Sequence, residues 1–282
     1  MDQVNLSAWE GRTQTRTGSV SQAQAAQLHA TLGNARTLAP TQGEPLPALW
    51  HWCAFPMSTP MSELSKDGHP GLGGFLPPVL LDRRMWAGGS LRFGAPLRVG
   101  ERLEARSSIR SVTKKPGASG PMVFVTVDHA IYGEKGLAIS ERQDIVYLEI
   151  PQEFSPPRKR DMPRDPVLNR TVDMPETLLF RYSALTFNAH RIHYDLPYAQ
   201  EVENYPGLVV HGPLQATLLM QEAVKHRGRT PDHFDFRGVH PAFAGTPLQI
   251  AGTEEVAGGL SLVTGTDTHQ CMQATAMWEE TV

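Results

Sequence analysis

Gly207-Leu-Val-Val-His211-Gly212-Pro213-Leu-Gln-Ala-Thr-Leu-Leu-Met-Gln-Glu-Ala-Val-Lys-His226 is the stretch that decides the fold of this chain. A loop ending in His-Gly runs into Pro213, which suits the first helical position because the N–H it lacks goes unbonded at a helix start anyway. The residues after it are apolar on nearly every side, and a helix apolar all round is a buried helix. The flanks supply its cover. Residues 236–282 break into short β-type runs punctuated by Gly252, Gly258-Gly259 and Gly265, with Met272, Ala274, Ala276 and Trp278 alternating in the last. One buried helix wrapped by antiparallel strands is the implied architecture, an α+β fold.

The N-terminal part has its own β signal. In Pro121-MVFVTVDHAIY-Gly133, Val123, Val125, Val127, His129 and Ile131 share one face, and Gly133-Glu-Lys-Gly136 turns the chain into a second strand over 137–150. Ser21 followed by QAQAAQLHATL and Gly33 reads as an N-capped helix with a C-terminal glycine. Residues 48–55 read as a strand, and 56–78 carry so many Pro and Gly residues that an ordered loop across a site or an interface is expected. Arg92-Phe-x-x-Pro96-Leu-x-x-Gly100 recurs as Arg237-Gly-x-x-Pro241-Ala-x-x-Gly245, a faint repeat that two homologous halves would explain.

With 282 residues the chain can hold two domains of roughly 100–150 residues. Six prolines in 151–175 place the boundary there, as an extended connector between a half at 1–150 and a half at 176–282. Glu176–Thr186 reads as a strand, 197–203 as a short helix and 213–226 as the buried one. A formal charge of −3 with Lys and Arg scattered among acids gives no cationic field for nucleic acid or an anionic membrane. No apolar run approaches the roughly 18 residues of a span. Cys53 and Cys271 stand far apart without metal-type spacing, so neither a disulfide framework nor a structural metal is expected, and the setting reads as cytoplasmic.

Phe180-Arg-Tyr-Ser-Ala-Leu-Thr-Phe-Asn188-Ala-His190-Arg191-Ile-His193-Tyr-Asp195 precedes the buried helix. His193 is the candidate acid/base, since imidazole titrates near neutrality and can take and return a proton in one turnover. Asn188 is either a holder of water or an Asx turn. The Gly212 N–H and the positive end of the helix suit a thioester oxygen gaining negative charge. His190, His193 and Asp195 could also be read as metal ligands, but Arg191 would set a cation beside the ion, and Asp195 fits better as a cap or as a partner orienting His193. No metal and no separate cofactor is expected. Arg191 alone reads equally as an anion contact or a solvated side chain.

LTFNxHRIHYD followed by GLVVHGP resembles the hydroxyacyl-thioester dehydratase type 2 branch of the MaoC-like hot-dog hydratases. His69-Pro-x-x-Gly-Gly74-Phe-Leu-Pro-Pro78, Arg83-Arg-Met-Trp-Ala-Gly-Gly89, Pro96-Leu-Arg-Val-Gly100 and Gln143-Asp-Ile-Val-Tyr147 look like the partner half of mesaconyl-C4-CoA and itaconyl-CoA hydratases. The resemblance, over roughly 45–282, implies a double hot-dog in which two helix-wrapping sheets join into one and only the C-terminal half is catalytic. It implies His193, Asn188 and Gly212 as catalytic groups. Setting the family's D-x-N-P-[IL]-H-x-D on His193 puts Asn188 where an aspartate stands, so His193 would carry most of the proton transfer.

The implied activity is hydration of an α,β-unsaturated acyl-CoA, with mesaconyl-C4-CoA or itaconyl-CoA going to citramalyl-CoA, coenzyme A being part of the substrate. The substrate carboxylate would meet Arg191, Arg84 or Arg237, with His211 as a further substrate contact. A hot-dog thioesterase, a straight-chain 3-hydroxyacyl-thioester dehydratase and a non-catalytic acyl-CoA sensor are the rivals. Two joined halves already supply the sheet pairing that single hot dogs gain by dimerising, so monomer and homo-oligomer both stay open.

Overall fold

The computed structural model describes residues 5–33, 37–117, 120–255 and 258–280. Ten strands form one antiparallel sheet. They are β1 (Thr13–Gly18), β2 (Arg83–Phe93), β3 (Leu103–Gly117), β4 (Gly120–Gly133), β5 (Gly136–Leu148), β6 (Leu168–Val172), β7 (His233–Gly238), β8 (Leu248–Glu254), β9 (Leu260–Gly265) and β10 (Gln270–Met277). Their spatial order, β1-β3-β4-β5-β2-β7-β10-β9-β8-β6, is a palindrome about the β2–β7 pair, whose register sets Ser90 against Asp235. Among the described residues four α-helices accompany them: α1 (Gln22–Leu32), α2 (Glu176–Thr186), α3 (Leu196–Glu201) and α4 (Gly212–Arg227).

The short repeat marks the same backbone turn twice. Gly100 and Gly245 both sit at positive φ, +81° and +83°. Leu97 and Ala242 carbonyls accept the N–H of Leu46 and Val210 at 2.8 Å each, while Val99 and Ala244 N–H groups donate to Glu44 and Leu208 at 2.9 Å each. Gly100 and Gly245 then donate to Val20 and Met174. Each turn therefore ties the strand before it to the segment ahead of a helix. The two halves differ after that. Val210 is followed by His211 and the sixteen residues of α4, whereas Leu46 leads only to a 3-10 turn at Trp50–Cys53.

α4 lies against β2, β7, β9 and β10, with Leu214, Leu218, Leu219 and Ala223 essentially inaccessible. Its core is continuous with that of the other half through Leu91, Leu97 and Phe234. α1 carries a capping box between Ser21 and Gln24 and ends at left-handed Gly33, as its sequence implies. Val123, Val125 and Val127 are buried in a second apolar cluster, with Leu72, Phe75 and Leu76 of the 56–78 loop packed on it. No helix among the described residues is long and apolar enough to cross a membrane. Cys53 and Cys271 are both buried thiols without a bridge.

Three local expectations fail. Glu176–Thr186 is helix, not strand: its buried residues Leu179, Tyr182 and Ser183 recur at three- and four-residue spacing, a helical face that the aromatic and Thr content disguises. Residues 48–55 make a 3-10 turn, because Trp52 Nε1 and His51 Nε2 both reach the buried Glu141 at 3.0 Å and such neighbours cannot alternate across a strand. The stretch 151–175 is not all connector. Residues 168–172 between its prolines form β6, pairing with β8 at the sheet edge.

Phe234 sits at the sheet centre with no exposure. Phe234→Ala is expected to destabilise the protein by about 3–5 kcal/mol, read as a lower urea midpoint with an unchanged slope.

Candidate active site

Asn188 ends α2's C-terminal segment, where its Oδ1 accepts the His190 N–H at 3.0 Å. That Asx turn swings the chain into a 3-10 turn, Arg191–His193, and Asp195 then caps α3 by accepting the Tyr198 N–H at 3.2 Å. The segment 207–211 crosses this turn, Val209 N–H donating to Ile192 O at 2.9 Å. His193 is thereby buried beside the start of α4. Its Nδ1 lies 2.7 Å from the Val209 carbonyl, which can only accept, so Nδ1 carries the proton and Nε2 is left as a lone pair. No described residue bonds that Nε2.

Four imidazoles stand in series. His193 stacks on His211 with centroids 3.7 Å apart, meets His190 edge-on at 5.4 Å, and His190 lies 4.2 Å from His69. His211 is the residue before Gly212, and its Nε2 is 2.8 Å from Ser183 Oγ. His190 Nε2 meets Glu203 Oε1 at 3.2 Å, while Arg83 Nε donates to Glu203 Oε2 at 3.1 Å and Arg83 Nη2 to the Glu203 carbonyl. His69 Nδ1 meets Asp67 Oδ2 at 2.7 Å.

Burial governs the protonation of these rings, since a charged imidazole loses its hydration inside the protein. It lowers His193 well below the usual histidine value, helped by His211 and His190. It takes His211 down to about 3, with His190 adding to it, and His69 to about 3 against the opposing pull of Asp67. Burial works against the charge of Asp67, yet hydrogen bonds from His69 hold its carboxyl below the ordinary range.

Of the residues expected at the site, His193, His211 and Gly212 converge. No described residue accepts the Gly212 N–H, and a Cβ on Gly212 would make only ordinary contacts, to the Trp86 carbonyl at 3.7 Å and Met272 Cε at 3.8 Å. Asn188 forms the Asx turn. Arg191 is committed: Nε and Nη2 donate to Asp195 at 2.9 and 2.8 Å, Nη1 to Lys66 O at 3.0 Å, and its plane lies 4.1 Å from the Tyr198 ring centroid. Arg237 lies on the other side of the sheet. Strand alternation turns Phe234 and Phe236 inward and Arg237 outward, where it bonds Gln273 and lines an open hollow of about 900 Å³ to which His193 does not contribute.

Of the three arginines expected to meet substrate, Arg84 is the one that acts on the cluster. It faces Tyr147 across β2–β5 and acts electrostatically on His69. Its Nη2 and the Tyr147 hydroxyl are buried beside one another without completing a hydrogen bond. Asp195 does not join His190 and His193 as a ligand set; among the described residues the trios whose ligand atoms lie within 4.8 Å of one another are Asp67–His69–His190 and His240–His269–Cys271. Sequence reasoning missed Asp67 and Glu203 altogether and gave His69 and Arg83 no individual role. The Asp-Gly-His spacing in a Pro/Gly-rich loop was the one available signal.

The family model for hydroxyacyl-thioester dehydratase type 2 matches residues 49–244. The chain is 48% identical over 253 residues to mesaconyl-C(4)-CoA hydratase of Chloroflexus aurantiacus, covering 89% of each. It is 31% identical over 231 residues to the mitochondrial hydroxyacyl-thioester dehydratase type 2 of Schizosaccharomyces pombe, covering 73% of this chain and 77% of that one. Among solved structures, a MaoC-like dehydratase from Phytophthora capsici superposes with a TM-score of 0.70 at 14% identity, over 96% of this chain and 97% of the other. A double-hotdog protein of Mycobacterium tuberculosis superposes at 0.58 with 13% identity, over 95% of each. The fold is the double hot-dog, and the chain belongs to the hydroxyacyl-thioester dehydratase type 2 family.

Proposed function

We propose that this chain hydrates an α,β-unsaturated acyl-CoA, with mesaconyl-C4-CoA as substrate and citramalyl-CoA as product. One observation carries the reading: the His193–Val209 hydrogen bond leaves a bare Nε2 beside the residue that precedes Gly212. The name of the Chloroflexus relative supports the acyl group. The proposed base and oxyanion donor both come from the C-terminal half, 176–282; the other half has Pro47-Ala48 and a 3-10 turn where this one has His211-Gly212 and α4.

With the thioester oxygen at the Gly212 N–H, the helix start stabilises the enolate-like charge that grows there, a donor worth about 2.7–4 kcal/mol in comparable sites. His193 Nε2 takes a proton from water as oxygen bonds the β-carbon, then returns it to the α-carbon. The β-carbon of mesaconyl-C4-CoA bears a carboxylate, and Arg84 is its partner, since Arg191 and Arg237 are occupied elsewhere. An itaconyl thioester would first have its double bond moved into conjugation by the same base and donor. A straight-chain 3-hydroxyacyl thioester, which carries no such carboxylate, would leave Arg84 unused; the Schizosaccharomyces relative is named for hydroxyacyl thioesters.

Mass spectrometry of branched dicarboxylyl-CoA and straight-chain enoyl-CoA substrates should show gain of one water without free thiol; thiol release would mean hydrolysis, and tight binding without turnover a sensor. His193→Ala should cost about 10²–10⁴-fold in kcat, and wild-type turnover in that variant would sink the assignment. Arg84→Gln should weaken use of the dicarboxylyl substrate about 10- to 100-fold, the scale of one charged hydrogen bond, and spare straight chains. A base works unprotonated, so activity is present above its pKa and lost below it. Because burial lowers His193, kcat/KM should stay level as pH falls through 6.5 and decline only well below; a decline centred near 6.5 would contradict this.

A further inference from the structure

The 56–78 loop carries a second imidazole into the site from the other half of the chain. Asp67 Oδ2 lies 2.7 Å from His69 Nδ1, and Asp67 Oδ1 accepts the His69 backbone N–H at 3.0 Å. An ionised carboxylate can only accept, so the His69 proton sits on Nδ1 and Nε2 is a lone pair. The loop is pinned where it delivers this ring. Asp67 O accepts the Arg191 N–H at 2.9 Å, and Gly68, at φ +89°, presses so close that a Cβ would run into the Ala189 carbonyl.

Of the four rings in series, His190 and His211 have Nε2 engaged by Glu203 and Ser183. Only His69 and His193 keep an Nε2 that no described residue bonds. The His69 side chain is 19% open, and its ring lies 4.2 Å from that of His190, which meets His193 edge-on.

We propose that His69, oriented by Asp67, is a catalytic residue that holds the attacking water, a proposal that rests on the hydration reading. Water donating one hydrogen to His193 and the other to His69 keeps its lone pairs for the β-carbon. The hydrogen facing His193 leaves as a proton while the C–O bond forms, and the π pair of the double bond moves toward the thioester oxygen. His193 then gives that proton to the α-carbon. The hydrogen facing His69 stays on oxygen and becomes the hydrogen of the product hydroxyl, so both hydrogens of water are accounted for. This is the role the sequence suggested for Asn188, whose Oδ1 already closes the Asx turn.

The test compares His69→Gln, which keeps an acceptor, with His69→Leu, which is of similar size and has none, in the full chain and on an enoyl-CoA that it hydrates. Expected are a fall in kcat of about 10-fold for Gln and about 10²-fold or more for Leu, with KM within about twofold and an unchanged melting temperature. Wild-type kcat in both variants overturns the proposal. Equal loss in both, at the level of His193→Ala, overturns it too, because His69 would then move a proton itself. If His69→Leu does not fold, Asp67→Ala replaces it: releasing the tautomer should lower kcat at least about fivefold, and wild-type kcat there refutes the role. A wild-type protein that hydrates no enoyl-CoA brings down the hydration reading together with this one, whereas hydration that survives in the His69 variants removes only His69.

Discussion

The hydrogen bond from His193 Nδ1 to the Val209 carbonyl is the interaction on which the site depends. It selects one tautomer of a buried ring, and with it which nitrogen keeps a lone pair. It also joins two segments that would otherwise be independent, the 3-10 turn after α2 and the extended stretch leading into α4. Val209 itself is held on both sides, by Ile192 and by a bridge to Phe243 in the loop before β8. A carbonyl offers a dipole and no full charge, so the imidazolium gains little there, and burial keeps His193 neutral. A neutral ring with its lone pair unbonded is the form a base needs at rest.

The surrounding frame is built twice. The paired turns at Gly100 and Gly245, with matching bonds to Leu46 and Val210, show one backbone design used on both sides of the β2–β7 pair. Beyond the turn the two copies diverge. One grows α4, whose start presents unbonded N–H groups; the other spends its chain on the 56–78 loop, which crosses to the histidines of its neighbour. Asp67, His69, Arg83 and Arg84 all come from that other half. The histidine cluster is therefore shared by the two halves, though α4 belongs to one.

Much of this was legible in the chain because the relevant signals are local. The Pro213 start and all-round apolarity of α4 follow from residues within a few turns, as do the alternation of β4 and the glycine turn into β5. The repeat was readable since a positive φ demands glycine at both Gly100 and Gly245. α2 was misread because Phe180, Tyr182 and Thr186 favour strands on average, while the buried spacing of Leu179, Tyr182 and Ser183 makes sense only once α1 lies against it. Arg191, Arg84 and Arg237 could not be ranked from sequence, as nothing in a residue's neighbours along the chain says which face of a sheet it occupies across a bulge such as the one between Trp86 and Gly88.

Periodicity and turn chemistry over a few residues were enough to give the buried helix, its glycine-led start and the long hairpin. Only the tertiary structure decided what each polar group meets: Asp67 on His69 beside His190, Arg83 on Glu203 at a separation of 120 residues, and the Val209 carbonyl on His193. The physical reason is that propensity acts along the chain, whereas desolvation and hydrogen-bond partners depend on segments brought together by the packing of the sheet.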